Sequence, residues 1–115
     1  MKQALNAAVF GLFLLSTAAN AMAASSDDLP TFLLVMKNGH LYPATIDVPA
    51  KTKFRLEIRN EGPGAAEFES LDLHKETVLA PGTTRKLVFH PMQPGTYQFV
   101  DEFHAATAQG RIVAK

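Results

Sequence analysis

The feature that most constrains the fold of this chain is a two-residue alternation of apolar and polar side chains, which dominates the sequence after residue 29. Between Thr52 and Asn60, the side chains of Phe54, Leu56 and Ile58 share one face, and charged residues occupy the other. Successive side chains of a β-strand point to opposite faces, so this pattern predicts a strand with one buried face. No stretch keeps helical spacing for three turns. The sequence therefore predicts an all-β protein.

About seven strands are expected from this alternation and from the Gly and Pro residues between the segments. Besides Thr52–Asn60, they are Phe32–Lys37, His40–Val48, Glu67–Ser70, Thr84–Phe89, Thr96–Val100, and a last strand that begins at Ala108 or Gln109 and ends at Ala114. This number of short strands in about ninety residues is typical of a Greek-key β-sandwich or barrel. An immunoglobulin-like sandwich would have the same number and spacing of short strands, so the strand pattern alone does not distinguish between these folds.

Local signals mark the connections between the predicted strands. Asn38-Gly39 is a turn of the kind that hairpins favour. Pro43 interrupts the second segment, which indicates an edge strand or a bulge because proline cannot donate to a sheet. The segment Leu71–Thr77 is predicted to form one helical turn.

The first 23 residues have the pattern of a signal peptide. Lys2 is their one charged residue, an apolar run extends from Ala7 to Ala19, and the small residues Ala21 and Ala23 follow it. This arrangement predicts cleavage near Ala23, although an uncleaved anchor is the alternative. We expect a signal peptide over residues 1–23, a flexible N-terminus over 24–31 and one domain over 32–115. Export across the inner membrane would place the mature protein in the periplasm.

Composition excludes several classes of function. Beyond the leader, ten Lys and Arg side chains oppose eleven Asp and Glu side chains, so no basic surplus indicates nucleic acid as a partner. The chain has no Cys, which excludes disulfides and thiolate metal ligands. No nucleophile with a base, phosphate-binding Gly-rich loop or other hydrolase or transferase signature is present. These residues leave open whether the protein is an enzyme.

Five side chains form the predicted metal site. Asp101, Glu102 and His104 follow the end of a predicted strand, and Glu67 and Glu69 are two residues apart on another. Alternate residues of a strand point to the same face, so the two glutamates repel each other unless a cation lies between them. The alternative interpretation is a solvated polar loop beside an edge strand whose acids discourage aggregation. No specific role is assigned to Met36, His40, His74, His90 and Met92.

From Leu41 to Lys115 the chain also resembles a known family. The matching segments are Pro43–Ala50, Phe54–Leu56, Asn60, Glu67–Ser70, Asp72-Leu73, Glu76, Ala80–Gly82, Pro94–Tyr97, Phe103-His104 and Thr107–Gly110. In these segments the chain resembles the EfeO-type cupredoxin-like domain, and especially the small periplasmic cupredoxin-like component of Ftr-type ferrous-iron transport systems. Against the cupredoxin ligand pattern, Asp101 takes the place of the cysteine, Thr107 that of the methionine and Ala66 that of the early histidine. Only His104 matches a ligand.

The resemblance implies a cupredoxin-like sandwich that takes part in high-affinity Fe(II) uptake. It implies an iron or copper ion, but not a blue type-1 copper site because that site requires a thiolate. It further implies assistance in Fe(II) oxidation before permeation, with a periplasmic iron-binding protein and an inner-membrane iron permease as partners. Carboxylates with one imidazole suit iron, manganese or Cu(II). The alternative function is a metal-free β-sandwich that acts as a docking or assembly module of the cell envelope.

Overall fold

The structure is a computed structural model that describes residues 28–115, so the predicted signal peptide lies outside the described residues. Within this range the chain forms nine β-strands and one turn of 3₁₀ helix, Glu102–His104. The strands are β1 (Thr31–Lys37), β2 (His40–Tyr42), β3 (Thr45–Val48), β4 (Phe54–Asn60), β5 (Ala66–Ser70), β6 (Lys75–Leu79), β7 (Thr84–Phe89), β8 (Gly95–Asp101) and β9 (Gln109–Ala114). No helix in the described part is long and apolar enough to cross a membrane.

The strands form two sheets, which confirms the prediction of an all-β sandwich. One sheet has the strand order β2-β1-β4-β7, and the other has the order β3-β9-β8-β5-β6. β1 pairs in parallel with β4, and β3 pairs in parallel with β9, whereas the other neighbours are antiparallel. The connection between β2 and β3 contains Pro43, and each of these strands lies at the edge of its sheet. The predicted segment His40–Val48 is therefore split between the two sheets.

The core lies between the sheets and contains the apolar faces that the alternation predicts. Phe54, Leu56 and Ile58 of β4 are fully buried. Phe54 stacks on Phe89 of the neighbouring strand β7, with ring centroids 5.0 Å apart. From the facing sheet, Phe68 packs against Phe99 at 5.1 Å. Burial of these aromatic rings removes a large apolar area from water and stabilises the sandwich.

The region after β5 differs from its prediction. Instead of a helical turn over Leu71–Thr77, the chain makes a tight turn in which His74 adopts a φ of 52°. β6 then begins at Lys75 and pairs along β5. A residue whose backbone is in this left-handed conformation interrupts a helix. The backbone N–H and C=O groups that follow form hydrogen bonds with β5 instead. β6 and the division at Pro43 raise the number of strands from about seven to nine.

Asn60, the last residue of β4, fixes the loop that borders the candidate site. Its side-chain amide donates hydrogen bonds to the carbonyls of Gly64, at 2.9 Å, and Leu79, at 3.0 Å. Its Oδ1 accepts a hydrogen bond from the backbone N–H of Gly62 at 2.9 Å. Because Asn60 is only 3% exposed, these bonds replace water at three backbone groups. The connection between β4 and β5 is thereby held in one conformation.

Candidate metal centre

Four glutamates gather on the outer face of the five-stranded sheet. Glu67 and Glu69 alternate with the buried Phe68 on β5, so both point away from the core. On β6, Glu76 lies directly opposite Glu69. Glu102 follows β8, whose last residue is paired with Phe68. We refer to Glu67, Glu69, Glu76 and Glu102 as the acidic quartet.

The carboxyl groups of the quartet raise the pKa values of two of its members. A hydrogen bond to Glu76 is the main cause that raises the pKa of Glu67 to about 7, and burial and the neighbouring negative charges add to it. The pKa of Glu69 is also raised, chiefly by a hydrogen bond to Glu102 and then by burial and repulsion. A carboxyl–carboxylate hydrogen bond requires a shared proton, and loss of that proton leaves like charges side by side. The quartet thus consists of two pairs that favour a proton or a cation between their oxygens.

Asp101, in contrast, is turned toward the interior at the end of β8. It is only 2% exposed. Its Oδ1 accepts hydrogen bonds from the backbone N–H of Glu67 at 2.9 Å and from that of Phe103 at 3.1 Å. Its Oδ2 lies 2.7 Å from Nδ1 of His104. This carboxylate therefore joins β5, the 3₁₀ turn and the imidazole.

His104 lies on the wall of a cavity of about 310 Å³ at the end of the sandwich. The cavity is lined by Met36, Lys37, Asn38, Gly39, Asn60, Gly62, Pro63, Gly64, Ala66, Asp101 and His104. The imidazole is partly exposed, and its Nδ1 is engaged by Asp101. Its other nitrogen, Nε2, is the remaining position at which the ring could bind a ligand.

The structure therefore distributes the five predicted ligands between two places. Glu67, Glu69 and Glu102 belong to the acidic quartet, whereas Asp101 and His104 form a separate pair at the cavity. Among residues 28–115, no group of three or more His, Asp or Glu side chains is arranged to hold a metal ion. Each carboxyl pair of the quartet offers two hard oxygen donor groups, and water would have to complete the coordination of an ion held there.

Glu76 is the member of the quartet that the predicted site lacks. The expected helical turn over Leu71–Thr77 would have removed it from the sheet. A strand assignment for Lys75–Leu79 would have revealed it, because Glu76 and Val78 alternate with the buried Leu79. Of the residues without an assigned role, Met36 lines the cavity, Met92 packs against the core, and His40, His74 and His90 are exposed.

Comparison with known proteins agrees with this architecture. A family model described as a cupredoxin-like domain matches residues 5–114. An uncharacterised protein of Rickettsia prowazekii (strain Madrid E) is 35% identical over 89 residues, which make up 77% of this chain and 71% of the relative. The extent of the family match supports membership of the cupredoxin-like domain family.

Solved structures share the fold at low sequence identity. Reduced auracyanin from Roseiflexus castenholzii is similar with a TM-score of 0.64 and 16% identity, over 80% of this chain and 98% of that one. The metal-binding domain of the Cu(I)-exporting P-type ATPase of Streptococcus pneumoniae, solved with Cu(I), gives a TM-score of 0.63 and 10% identity, over 74% and 84% of the two chains. By its sheet topology and the family match over residues 5–114, this chain belongs to the cupredoxin-like domain family.

Proposed function

We propose that this protein is a periplasmic metal-binding cupredoxin-like protein of high-affinity Fe(II) uptake, and that it binds iron or copper through the acidic quartet. The observation that carries this proposal is the gathering of four glutamates on one sheet face, with Glu69 directly opposite Glu76. This crowding of carboxyl groups raises the pKa of Glu67 to about 7. A cation that replaced the shared protons would relieve the repulsion within each pair and gain hard oxygen ligands. Cupredoxin-like membership identifies a domain related to metal binding or electron transfer.

A blue copper centre does not fit the residues present. The chain has no Cys, so it cannot supply the thiolate on which that centre depends. Asp101, which takes the place of the cysteine in the sequence pattern, has its oxygens engaged by three protein donors. The donors that remain accessible at the quartet are carboxylates. Such ligands suit iron in either oxidation state and Cu(II), and they suit Cu(I) poorly.

The carboxylates would also lower the reduction potential of an iron ion bound at the proposed site. Anionic oxygen donors stabilise Fe(III) more than Fe(II), because the ion of higher charge gains more from them. A ferrous ion held by the quartet would therefore be easier to oxidise, which fits a protein that assists Fe(II) oxidation. In the proposed pathway, the protein exchanges iron with a periplasmic iron-binding protein and an inner-membrane permease.

Calorimetry on metal-free protein tests the proposed ligands. In the double variant Glu67→Ala/Glu69→Ala, we expect at least a tenfold loss of affinity for Cu(II), and for Fe(II) under anaerobic conditions. The matched control is Glu57→Ala/Glu61→Ala, which removes the same number of carboxylates at positions away from the quartet. Oε2 of Glu57 lies 3.7 Å from Nη2 of Arg59, and Oε2 of Glu61 lies 3.9 Å from Nζ of Lys37. Unchanged affinity in the first variant would show that the quartet is not the site.

Thermal melting separates the proposal from its alternative. A ligand that binds only the folded state raises the melting temperature as its concentration increases. We expect Fe(II) or Cu(II) to raise it in the parent protein and not in the Glu67→Ala/Glu69→Ala variant. If millimolar metal caused no shift, the acidic face would instead be assigned to a metal-free docking module that meets a basic partner.

A further inference from the structure

A groove of about 770 Å³ crosses the outer face of the five-stranded sheet. Glu69 and Glu102 of the acidic quartet line it on the side of β5, and Thr45 and Arg111 line it on the side of β3 and β9. Gln98 of β8 lies between the two sides, because it is paired with Arg111 and β8 separates β9 from β5. The groove therefore has a negative end and a positive end.

The guanidinium group at the positive end is oriented by a hydroxyl and not by an acid. Nε of Arg111 donates a hydrogen bond to Oγ1 of Thr45 at 3.2 Å, and the two residues are direct partners across β3 and β9. In the part of the chain that the structure describes, Arg111 forms no ion pair, and its two Nη groups have no hydrogen-bond partner. Those groups carry the parallel N–H donors with which arginine binds a carboxylate.

The distance between the two ends explains why Arg111 does not neutralise the acids of the same groove. Glu69 is paired with Val100, which lies two residues along β8 from Gln98, the partner of Arg111. Neighbouring strands lie about 4.8 Å apart and two residues of a strand span about 7 Å, so the Cα atoms of Arg111 and Glu69 are roughly 12 Å apart. A small ligand that lies in the groove can contact both ends.

The carboxyl pair at the negative end cannot by itself complete the coordination of an iron or copper ion. Glu69 and Glu102 supply two hard donor groups, and no group of three or more His, Asp or Glu side chains within residues 28–115 is arranged to hold a metal. Hard cations commonly take about six oxygen ligands. An ion bound here must therefore keep ligands of its own. Fe(III), the oxidation state that carboxylates favour, hydrolyses in neutral water unless such ligands protect it.

From the two ends of this groove we infer that the protein binds its metal ion as a complex with a small polycarboxylate. Glu69 and Glu102 bind the ion at positions that the chelator leaves open, and Arg111 binds a free carboxylate of the same complex. An unchelated ion makes no use of the guanidinium, and a metal-free polycarboxylate meets like charges at the acids. This inference rests on the proposed metal-binding function and specifies the chemical form of the metal.

Calorimetry with gallium(III) citrate tests the role of Arg111, because Ga(III) replaces Fe(III) without redox chemistry. Arg111→Gln should weaken binding of this complex by at least about tenfold, the loss expected for a charge-assisted contact. Arg111→Lys keeps the charge but not the planar fork, so it should restore only part of the affinity. The matched control is Arg59→Gln, at an exposed position of the other sheet, which should bind as the parent does. Unchanged affinity in Arg111→Gln would overturn the inference.

Two further titrations show whether the metal and the chelator bind together. Arg111→Gln should bind unchelated Cu(II) no more weakly than the parent, because loss of a positive charge does not reduce the attraction of the acids for a cation. An equal loss for Cu(II) would contradict a contact with the chelator. Citrate alone should bind at least about tenfold more weakly than gallium(III) citrate, and equal affinities would mean that the groove is only an anion site.

Ultrafiltration with isotopically labelled citrate separates this inference from the proposed function. We expect the protein to retain gallium and citrate in equal amounts. If the protein binds unchelated Cu(II) in a manner that depends on Glu67 and Glu69 but retains no citrate with gallium, the inference is wrong and the quartet remains the metal site. If neither Cu(II), Fe(II) nor gallium(III) citrate binds, both the inference and the proposed function are wrong.

Discussion

Glu69 and Glu76 lie directly opposite each other across the β5–β6 pair. The acid that contributes most to the raised pKa is nevertheless a different one for each glutamate of β5: Glu102 for Glu69, and Glu76 for Glu67. Like charges at directly opposed positions destabilise an antiparallel pair. A proton held between neighbouring carboxyl groups reduces that repulsion, which is why the pKa values of Glu67 and Glu69 are raised. The stability of this sheet face should therefore depend on pH.

Stability is expected to decrease as the pH rises from about 4.5 to about 7. In this window the native protein holds a proton on Glu67, whose pKa is about 7, whereas the unfolded chain, with a reference value of 4.5, has lost it. The folded state then binds more protons than the unfolded state, so increasing pH favours unfolding. Glu69, Glu76 and Glu102 are the charged groups that act on Glu67. Melting temperatures measured without metal across this range should show the decline.

The variant Glu67→Gln identifies the source of this pH dependence. Glutamine keeps the size of the side chain and cannot ionise, so the decline between pH 4.5 and 7 should become shallower. Glu57→Gln is the control, because Glu57 lies on the other sheet beside Arg59. An equally steep decline in Glu67→Gln would contradict the assignment of the raised pKa to this residue.

Gly110 occupies a position on β9 that has no room for a side chain. A Cβ atom there would lie 2.5 Å from Cζ of Phe99 and 2.8 Å from the carbonyl oxygen of Ala44. Gly110→Ala should therefore destabilise the protein by about 1–3 kcal/mol, as overpacking of a rigid core does. Urea denaturation measures the loss. Gly64→Ala is the control, since a Cβ atom at Gly64 meets nothing within 4 Å; equal losses would contradict the steric explanation.

Removal of the Asn60 side chain should cost at least about 2 kcal/mol of unfolding free energy, because Asn60→Ala leaves the buried backbone groups of Gly62 and Leu79 without their partner. Gln98→Ala, at an exposed position of β8, should change stability by less than about 0.5 kcal/mol. Chemical denaturation of both variants checks the difference. If Asn60→Ala left the free energy of unfolding unchanged, water would have to replace the lost hydrogen bonds.

The stacked rings of Phe54 and Phe89 provide a test of the core. Phe54→Ala should destabilise the domain by about 3–5 kcal/mol, through lost burial and the cavity left behind. Phe103→Ala removes the same atoms from a side chain that is 51% exposed, and it should cost much less. Comparable losses in the two variants, measured by denaturant titration, would show that the aromatic core is not the main source of stability.

The sequence predicts the strands best where one face is fully buried. Phe54, Leu56 and Ile58 alternate with polar residues because β4 lies inside its sheet, and the strand was predicted within two residues of its observed start. β6 is an edge strand, and the exposed Glu76 and Val78 give it little apolar alternation. Its sequence therefore does not distinguish a strand from a helical turn; pairing with β5 decides the structure.

The candidate site is likewise predictable only where it depends on local strand geometry. Glu67 and Glu69 could be placed on one face because strand periodicity is local. The hydrogen bond between the N–H of Glu67 and Asp101 spans 34 positions of the chain, and it depends on the register of β5 against β8. The division of the predicted ligands between the sheet face and the cavity follows from that register and from side-chain conformations. Neither can be read from the spacing of acids and histidine along the sequence.

The position of β9 has a consequence for the synthesis of the protein. β9 is the last of the nine strands, yet it lies between β3 and β8. A nascent chain that has emerged from the ribosome only as far as residue 108 leaves β3 without any neighbour in its sheet. The two layers can close only after translation has passed β9, because long-range strand pairing must wait for both partners. The sheet that contains β3 is consequently completed only once β9 has been synthesised.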